Sequence, residues 1–348
     1  MISQMLKSIL SSRAKSRIKR AFGTLPELRL LREIEAVEGK LDSALRRQCD
    51  DYAQDTLGGK EYSPWLYVYA LISGEFKEGW IPDNYYSDRV IPAWKGKYGD
   101  VSNLNALQCL LGLENFPDVL YRVNGIYILP DRSVLPLARA REHLSSYPEG
   151  VAFKADDGMQ GRAIKILKGG EISGVDLASL PNGVFQRYIE SNAELAKFHP
   201  DSVATVRMTT VIDEAGRDSL RAAYVRFGSG VDTHVKSATH VRVPVDLDSG
   251  RLSDVGYTTS WHRIGRHPDS QVVFSGAAIP GFSACIDLVS RAHRAMPFAR
   301  CIGWDIAVDS SETPFLLEWN GAHNDIKFSE ATQGPCFLDL GWETLWRE

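Results

Sequence analysis

Between Val151 and Asp248 the apolar residues fall into short runs: VAFKA, RAIKIL, GVFQRYI, VATVRMTTVID, LRAAYVRFG and HVRVPVDLD, with Gly, Asp or Asn close to the end of each. Runs of this length, rich in β-branched and aromatic residues, read as strands, and the links between them are turn-like. Strands joined in this way pair mostly antiparallel. One helix is expected over about 287–296 (DLVSRAHRAM), and two further strands follow it, CIGWDIAVD and PFLLEWN, joined by a polar turn at Ser310 to Thr313. The expected class is α+β.

Upstream the texture differs. From Leu25 to Gly58 the stretch LPELRLLREIEAVEGKLDSALRRQCDDYAQDTLG repeats apolar residues three and four apart, which predicts one or two helices ending at Gly58-Gly59. Residues 60–110 then concentrate aromatics (Tyr62, Trp65, Tyr67, Tyr69, Phe76, Trp80, Tyr85, Tyr86, Trp94) among Pro64, Pro82 and Pro92. With no basic patch interleaved, such a cluster reads as core rather than as a platform for bases. The expected division is a helical segment over 1–59, a small domain over 60–147 and a catalytic domain over 148–348.

Charge is unevenly spread. The formal net charge is −4, yet residues 1–26 carry Lys7, Arg13, Lys15, Arg17, Lys19 and Arg20 and no acid. Ile2, Met5, Leu6, Ile9 and Leu10 recur there at helical spacing. A solvated lead-in helix accounts for this, and so does peripheral contact of residues 1–22 with an anionic inner membrane surface. No run of eighteen apolar residues is present for a spanning helix. The acidic main body disfavours nucleic acid as a partner. Cys49, Cys109, Cys285, Cys301 and Cys336 form no CxxC pair, so reduced thiols and a cytoplasmic location are expected.

The last two strands carry the most specific signal. Asp305 lies on one; Glu318 and Asn320 lie two apart on the next, hence on one face. Acids among Ile302, Ile306, Val308, Phe315, Leu316 and Leu317 are costly to bury unless they hold a cation. Two carboxylates and an amide suit Mg²⁺ or Mn²⁺ better than zinc; a solvated sheet face is the alternative. In VAFKADDGMQGRAIKIL, Lys154 sits on a strand and Asp157, Gly158 and Gly161 in the turn after it. Such a loop offers backbone N–H groups to phosphate, and the lysine adds a point charge. An ordinary hairpin is the alternative, and neither a Walker A loop nor a dinucleotide fingerprint is present. A further strand ends at Gln186, Arg187, Tyr188 and Ile189, where backbone groups can meet a flat purine edge. Arg207, in its β run, needs an anionic partner, carboxylate or phosphate. Arg226, His234, Lys236, His240 and Arg242 could recognise an anionic donor or acceptor, or simply be solvated.

A lysine strand with a glycine loop, a hinge, and then D…E-x-N, in this order, resemble the ATP-grasp superfamily. The thirteen residues from Asp305 to Glu318 and two more to Asn320 look like the metal site of D-alanyl-D-alanine ligases. The stretches YSPWLYVYALISGEFKEGWIPDNYY, FQRYIESNAELAKFHPDSVATVRMTT, HRAMPFARCIGWDIAV and FLLEWNGAHNDI are similar to the sugar-transfer associated ATP-grasp subgroup of polysaccharide biosynthesis, over roughly residues 60–335. The resemblance implies an ATP-grasp fold, two α+β subdomains clasping ATP, behind a helical N-terminal segment and a small preceding domain. It implies Lys154 on the nucleotide phosphates, the loop from Asp157 through Gly158 to Gly161 over them, Gln186, Arg187, Tyr188 and Ile189 as adenine hinge, and Arg207 toward the phosphates. Asp305, Glu318 and Asn320 would hold Mg²⁺. Arg187 stands where the hinge commonly has Glu, and HVKSATHVRVPVD replaces a His-Ser-Gly-Gly-like stretch.

The implied activity is an ADP-forming ligase that joins an amine to a small-molecule or glycan-linked carboxylate through an acyl-phosphate. An ATP-grasp peptide ligase or kinase, a non-catalytic nucleotide-binding scaffold and a membrane-associated adaptor are the competing readings. On the ligase reading, Asp305→Asn or Glu318→Gln abolishes turnover and leaves the fold intact.

Overall fold

The computed structural model describes residues 25–94, 96–113, 115–156, 164–230 and 239–347. The basic segment within 1–22, the loop residues Asp157, Gly158 and Gly161, and His234 and Lys236 lie outside the described residues. In chain order the main helices are α1 (Leu25–Glu38), α2 (Ser43–Asp55), α3 (Ser63–Ser73), α4 (Leu137–Ser145), α5 (Phe282–Ala295) and α6 (Lys327–Gln333). The strands are β1 (Asp118–Val123), β2 (Ile126–Ile128), β3 (Val134–Leu135), β4 (Val151–Ala155), β5 (Ile164–Leu167), β6 (Gly183–Arg187), β7 (Thr205–Ile212), β8 (Asp218–Phe227), β9 (Val241–Pro244), β10 (Gly256–Tyr257), β11 (Arg263–Ile264), β12 (Cys301–Val308) and β13 (Pro314–Asn320). No helix among the described residues is long and apolar enough to cross a membrane.

The chain divides into two compact units. Of the described residues, the first holds those up to Ala93, Ser260–His262 and those from Asp325 onward; the second holds Trp94–Thr259 and Arg263–Asn324. Packing draws these borders elsewhere than the sequence texture does at 59 and 147. Residues 94–147 join the strands that follow them because β1 pairs with β6.

Both sheets belong to the second unit, and their pairings are antiparallel. One runs β3-β2-β1-β6-β4-β5, the other β11-β10-β9-β8-β7-β12-β13. The first shares an apolar core with α4, in which Ala140 and Leu144 cluster with Val119, Tyr127, Phe153 and Phe185. The second shares a core with α5, whose Phe282, Cys285, Leu288, Val289 and Ala292 recur every three or four residues and cluster with Val206, Met208, Val225, Val243, Trp304 and Ile306. That stripe explains why α5 begins at Phe282 rather than near 287.

A short polar chain pins α5 to this sheet. Trp304 Nε1 donates to Thr210 Oγ1 at 2.8 Å, Thr210 Oγ1 lies 2.6 Å from His293 Nδ1, and His293 Nε2 lies 2.7 Å from the Ala299 carbonyl oxygen. Burial pulls the His293 pKa down to about 4, so the neutral ring accepts at Nδ1 and donates at Nε2. Residues alternating with the core positions face the other way. Register sets Asp305 opposite Arg207, Arg207 opposite Tyr224, Thr205 opposite Arg226 and Arg226 opposite Arg242, all on the face away from α5.

The first unit is built on aromatics. α3 is apolar nearly all round, as a helix enclosed on every side must be, and it stops at Gly74, whose φ of 80° is left-handed. The helical stretch before it is two helices, broken at Gly39; the Asp42 carboxylate caps α2 by accepting from the Ala44 and Leu45 amides. Tyr62, Trp65, Tyr67, Tyr69, Trp80, Tyr85 and Tyr86 are buried. The Tyr85 hydroxyl donates to the Trp342 carbonyl (2.9 Å) and the Trp346 indole to the Thr56 carbonyl (2.6 Å), which docks the last described residues on α2 and its neighbours. Glu330 on α6 is fully buried and accepts from the Ile81 and Cys336 amides, both at 2.7 Å. Burial outweighs these two donors and raises its pKa to about 7.

A carboxyl with a folded pKa of about 7, against an ordinary 4.5, keeps its proton while the unfolded chain loses its own. Stability therefore falls as pH rises from about 4.5 to about 7 and levels off beyond. Glu330→Gln is expected to remove on the order of 2–3 kcal/mol of that slope. Urea denaturation of the full chain at pH 5 and pH 7.5, followed by tryptophan fluorescence, checks this; an unchanged slope would assign it to another group.

Candidate functional site

β12 and β13 pair Ile306 with Leu316, but Asp305 with Glu318. Leu317 is the extra residue of a β-bulge. The bulge turns Glu318 and Asn320 onto the face of Asp305, while Leu316 and Trp319 stay in the core. It also re-aims the Leu317 carbonyl, which accepts from Lys154 Nζ at 3.2 Å and from Gln186 Nε2 at 3.0 Å, both side chains of the other sheet. The lysine, the hinge glutamine and the acids of the sequence pattern are thus brought together at one residue.

Asp305 is 2% exposed and Arg207 5%. Arg207 grips it with a fork, Nε to Oδ1 at 2.5 Å and Nη2 to Oδ2 at 3.0 Å, while Nη1 donates to the Asn324 carbonyl at 3.0 Å. Arg226 Nη2 reaches Asp305 Oδ2 at 2.5 Å. The fork crosses β12 over Gly303, where an added Cβ would lie 3.0 Å from Arg207 Nη1 and 2.9 Å from the Asn324 side chain. Burial opposes charge on Asp305, yet Arg207 and Arg226 outweigh it and hold the carboxyl below the usual carboxylate range. Glu318 shifts the other way: burial first, then the charge of Asp305, push its pKa up against Lys154 and Arg226. One carboxyl of this pair is kept charged and the other favours a proton.

The hinge residues take different roles. Gln186 is buried, and its Nε2 also donates to Asp118 Oδ1 at 2.7 Å; the Tyr121 hydroxyl donates to Asp118 Oδ2 at 2.7 Å. Burial lifts the Asp118 pKa to about 6, with Tyr121, Gln186 and Lys154 opposing it. Sequence reasoning missed Asp118; its signal is an acid opening the apolar run DVLYRV directly after Pro117. Arg187 lays its guanidinium over the Phe315 ring, 4.4 Å from the centroid, and its amide donates to the Pro117 carbonyl. Tyr188 is exposed and Ile189 buried. Arg207, expected toward phosphate, has its nitrogens turned to Asp305 and Asn324.

Among the described residues no three His, Cys, Asp or Glu side chains stand together as metal ligands. The donors here are two carboxyls and the amide of Asn320, whose Nδ2 donates to the Gly303 carbonyl at 3.3 Å. Two carboxyls and an amide form an all-oxygen set that fits a hard divalent cation in kind, and such a cation would favour the ionised form of Glu318. Both oxygens of Asp305 already accept from guanidinium groups, so a cation there shares Asp305 with Arg226, the more exposed of the two arginines.

Two antiparallel sheets, each with a helix packed on it, are consistent with the α+β ATP-grasp fold. Residues 176–339 match the sugar-transfer associated ATP-grasp family. Solved structures it is similar to include the biotin carboxylase domain of 2-oxoglutarate carboxylase from Hydrogenobacter thermophilus, with MgADP and bicarbonate (12% identity, 70% of this chain and 44% of that chain, TM-score 0.39). Others are the ATP-grasp ligase PsnB with a minimal precursor (12%, 72% and 63%, TM-score 0.42) and an L-amino acid ligase from Bacillus licheniformis (12%, 70% and 46%, TM-score 0.36). The chain spans between 44% and 63% of the length of these three. No curated protein matches it.

The ion pair separates two substitutions that the sequence treats alike. Asp305→Asn strips a buried arginine of its carboxylate and is expected to cost about 3–5 kcal/mol, so loss of activity there would mix fold and chemistry. Glu318→Gln removes charge from a carboxyl whose pKa burial and Asp305 already raise, and is expected to cost less than about 1 kcal/mol. Melting of both variants checks this; equal losses would show that Glu318 too is needed as an anion for the fold.

Proposed function

We propose that the chain is an ATP-dependent, ADP-forming ligase that joins an amino acid or other amine to a carboxylate of a sugar or polysaccharide precursor. The observation that carries this reading is the meeting of Lys154, Gln186, Asp305 and Glu318 around the Leu317 bulge. The family match supports the sugar-linked substrate.

In this reading the donor carboxylate oxygen attacks the γ-phosphorus of ATP and ADP leaves. The amine nitrogen then attacks the acyl carbon, inorganic phosphate leaves, and the nitrogen gives up a proton. Phosphoryl transfer asks chiefly for positioning and charge neutralisation. Lys154 supplies a cation that can move from a neutral carbonyl oxygen to a phosphate oxygen. The backbone after Gln186 meets the adenine edge, with Asp118 and the Leu317 carbonyl fixing the Gln186 amide and Arg187 stacked on Phe315. By the resemblance alone, Asp157, Gly158 and Gly161, which lie outside the described residues, would meet the phosphates. Arg207 acts on Asp305, keeping it ionised and oriented. Asp305, Glu318 and Asn320 would hold Mg²⁺ or Mn²⁺, which would supply charge neutralisation at the phosphate oxygens. Dependence on ATP suits the cytoplasm, and the basic, acid-free composition of residues 1–22 suits contact with an anionic membrane surface.

The test is turnover of ATP and Mg²⁺ by the full chain against pooled carboxylates, uronic acids included, and pooled amines. Equal release of ADP and phosphate, with a product lighter than its parts by one water, is expected. Glu318→Gln should lower turnover at least about 100-fold with its melting little changed. ADP without phosphate would make the protein a kinase, and turnover indifferent to Glu318→Gln would remove the metal assignment.

A further inference from the structure

The chain that leaves the hinge is tied to the far end of β12 before it reaches β7. β7 pairs with β12 only as far as Val206 opposite Ile306. Beyond that point Ser191 bridges Asp309 antiparallel, and the Asn192 amide donates to the Val308 carbonyl at 3.0 Å. The side-chain nitrogen Nδ2 of Asn192 donates to the Asp309 carbonyl at 3.2 Å, and Ser310 Oγ donates to Glu190 Oε2 at 3.3 Å. Residues 190–192 therefore take the place beside β12 that β7 leaves, on the same hairpin that bears Asp305 and Glu318.

Asn192 does more than its local structure asks. Its Oδ1 caps the short helix Ala193–Ala196 by accepting from the Glu194 amide at 3.0 Å, a task that serine or aspartate performs as well. Nδ2 is not needed for that cap; it reaches a carbonyl 117 residues away, and the residue is only 6% exposed. The turn it reaches is firmly held. Asp309 Oδ1 accepts from the Ser311 amide at 2.9 Å, the Ser311 hydroxyl at 2.7 Å and the Thr313 amide at 2.8 Å, and the Asp309 amide donates to the Thr313 carbonyl at 3.0 Å. Burial opposes charge on Asp309, yet the Ser311 and Thr313 donors and nearby Arg187 outweigh it and hold the carboxyl below the usual carboxylate range. Arg187 of the hinge lies over Phe315, next to the Pro314 that pairs with Val308. Three residues of strand, roughly 10 Å, separate Val308 from Asp305.

We propose that Asn192 is a positioning residue of the nucleotide site: through Nδ2 it fastens the chain leaving the hinge to the β12–β13 turn, and so fixes the spacing between the base seat and the acids Asp305 and Glu318. The inference rests on the ligase reading for what occupies those two seats. A ligand that reaches both gains from a spacing set in advance, because its second contact then costs no further ordering. A ligand that fills the base seat alone gains nothing from it.

The full chain is titrated by calorimetry with MgADP and, separately, with adenosine. Asn192→Ser keeps an oxygen for the helix cap and loses the donor to Asp309. It is expected to weaken MgADP about threefold to tenfold, the net effect of one hydrogen bond, while adenosine affinity stays within about twofold. MgADP affinity within about twofold of native would overturn the proposal. So would adenosine weakened as much as MgADP, which would make Asn192 a support of the base seat alone. Adenosine that does not bind the native chain would overturn it too, since the base would then have no seat of its own to be spaced. A native chain that fails to bind MgADP would remove the ligase reading and the proposal with it, whereas native binding with an indifferent variant would remove only the role of Asn192. Should Asn192→Ser not melt cooperatively, the comparison passes to Asn192→Asp, which caps the helix as well and likewise offers Asp309 no donor.

Discussion

The buried ion pair between Asp305 and Arg207 is the constraint around which the second unit is arranged. Two charges withdrawn from water need near-complete hydrogen bonding to persist, and each surrounding feature serves that need. The fork on Asp305, the Asn324 carbonyl on the third nitrogen and the side-chain-free Gly303 beneath the guanidinium leave Arg207 one position to occupy. Because the pair bridges β7 and β12, it also sets where β13 and β8 can present their own polar groups.

Much of this was legible in the sequence, for physical reasons. Strand runs such as VATVRMTTVID and CIGWDIAV announce themselves because strands buried on both faces need nearly continuous apolar and β-branched residues. Asp305, Glu318 and Asn320 stand out because acids and amides are rare among such neighbours. What stayed hidden depends on partners far apart in the chain. That Arg207 answers Asp305, ninety-eight residues away, is decided by strand order. Asp118 opposite Gln186 is likewise a matter of register. The borders at 59 and 147 followed changes in composition, whereas the packing units are drawn by pairing of β1 with β6 and by the return of α6 to α3.

The two units handle buried acids differently. In the second, Asp305 is held charged by arginines, and Glu318 beside it is pushed toward its neutral form. In the first, Glu330 has the Ile81 and Cys336 amides and the Cys336 thiol for partners, and such neutral donors do not keep a fully enclosed carboxyl ionised at low pH. Burial is common to all three; the full charges nearby decide the outcome. The Glu330 carboxyl joins the Ile81 and Cys336 amides, which suits a structural clasp rather than chemistry.

The bulge at Leu317 gives the spacing of the acidic motif a geometric meaning. In a regular hairpin, stepping one residue outward on each strand from the Ile306–Leu316 pair would set Asp305 against Leu317, and Glu318 would point with Leu316 into the core. The additional residue reverses that parity. The interval between the acids is therefore a count of backbone, and a relative with the same letters one residue closer together would spell the motif without assembling it.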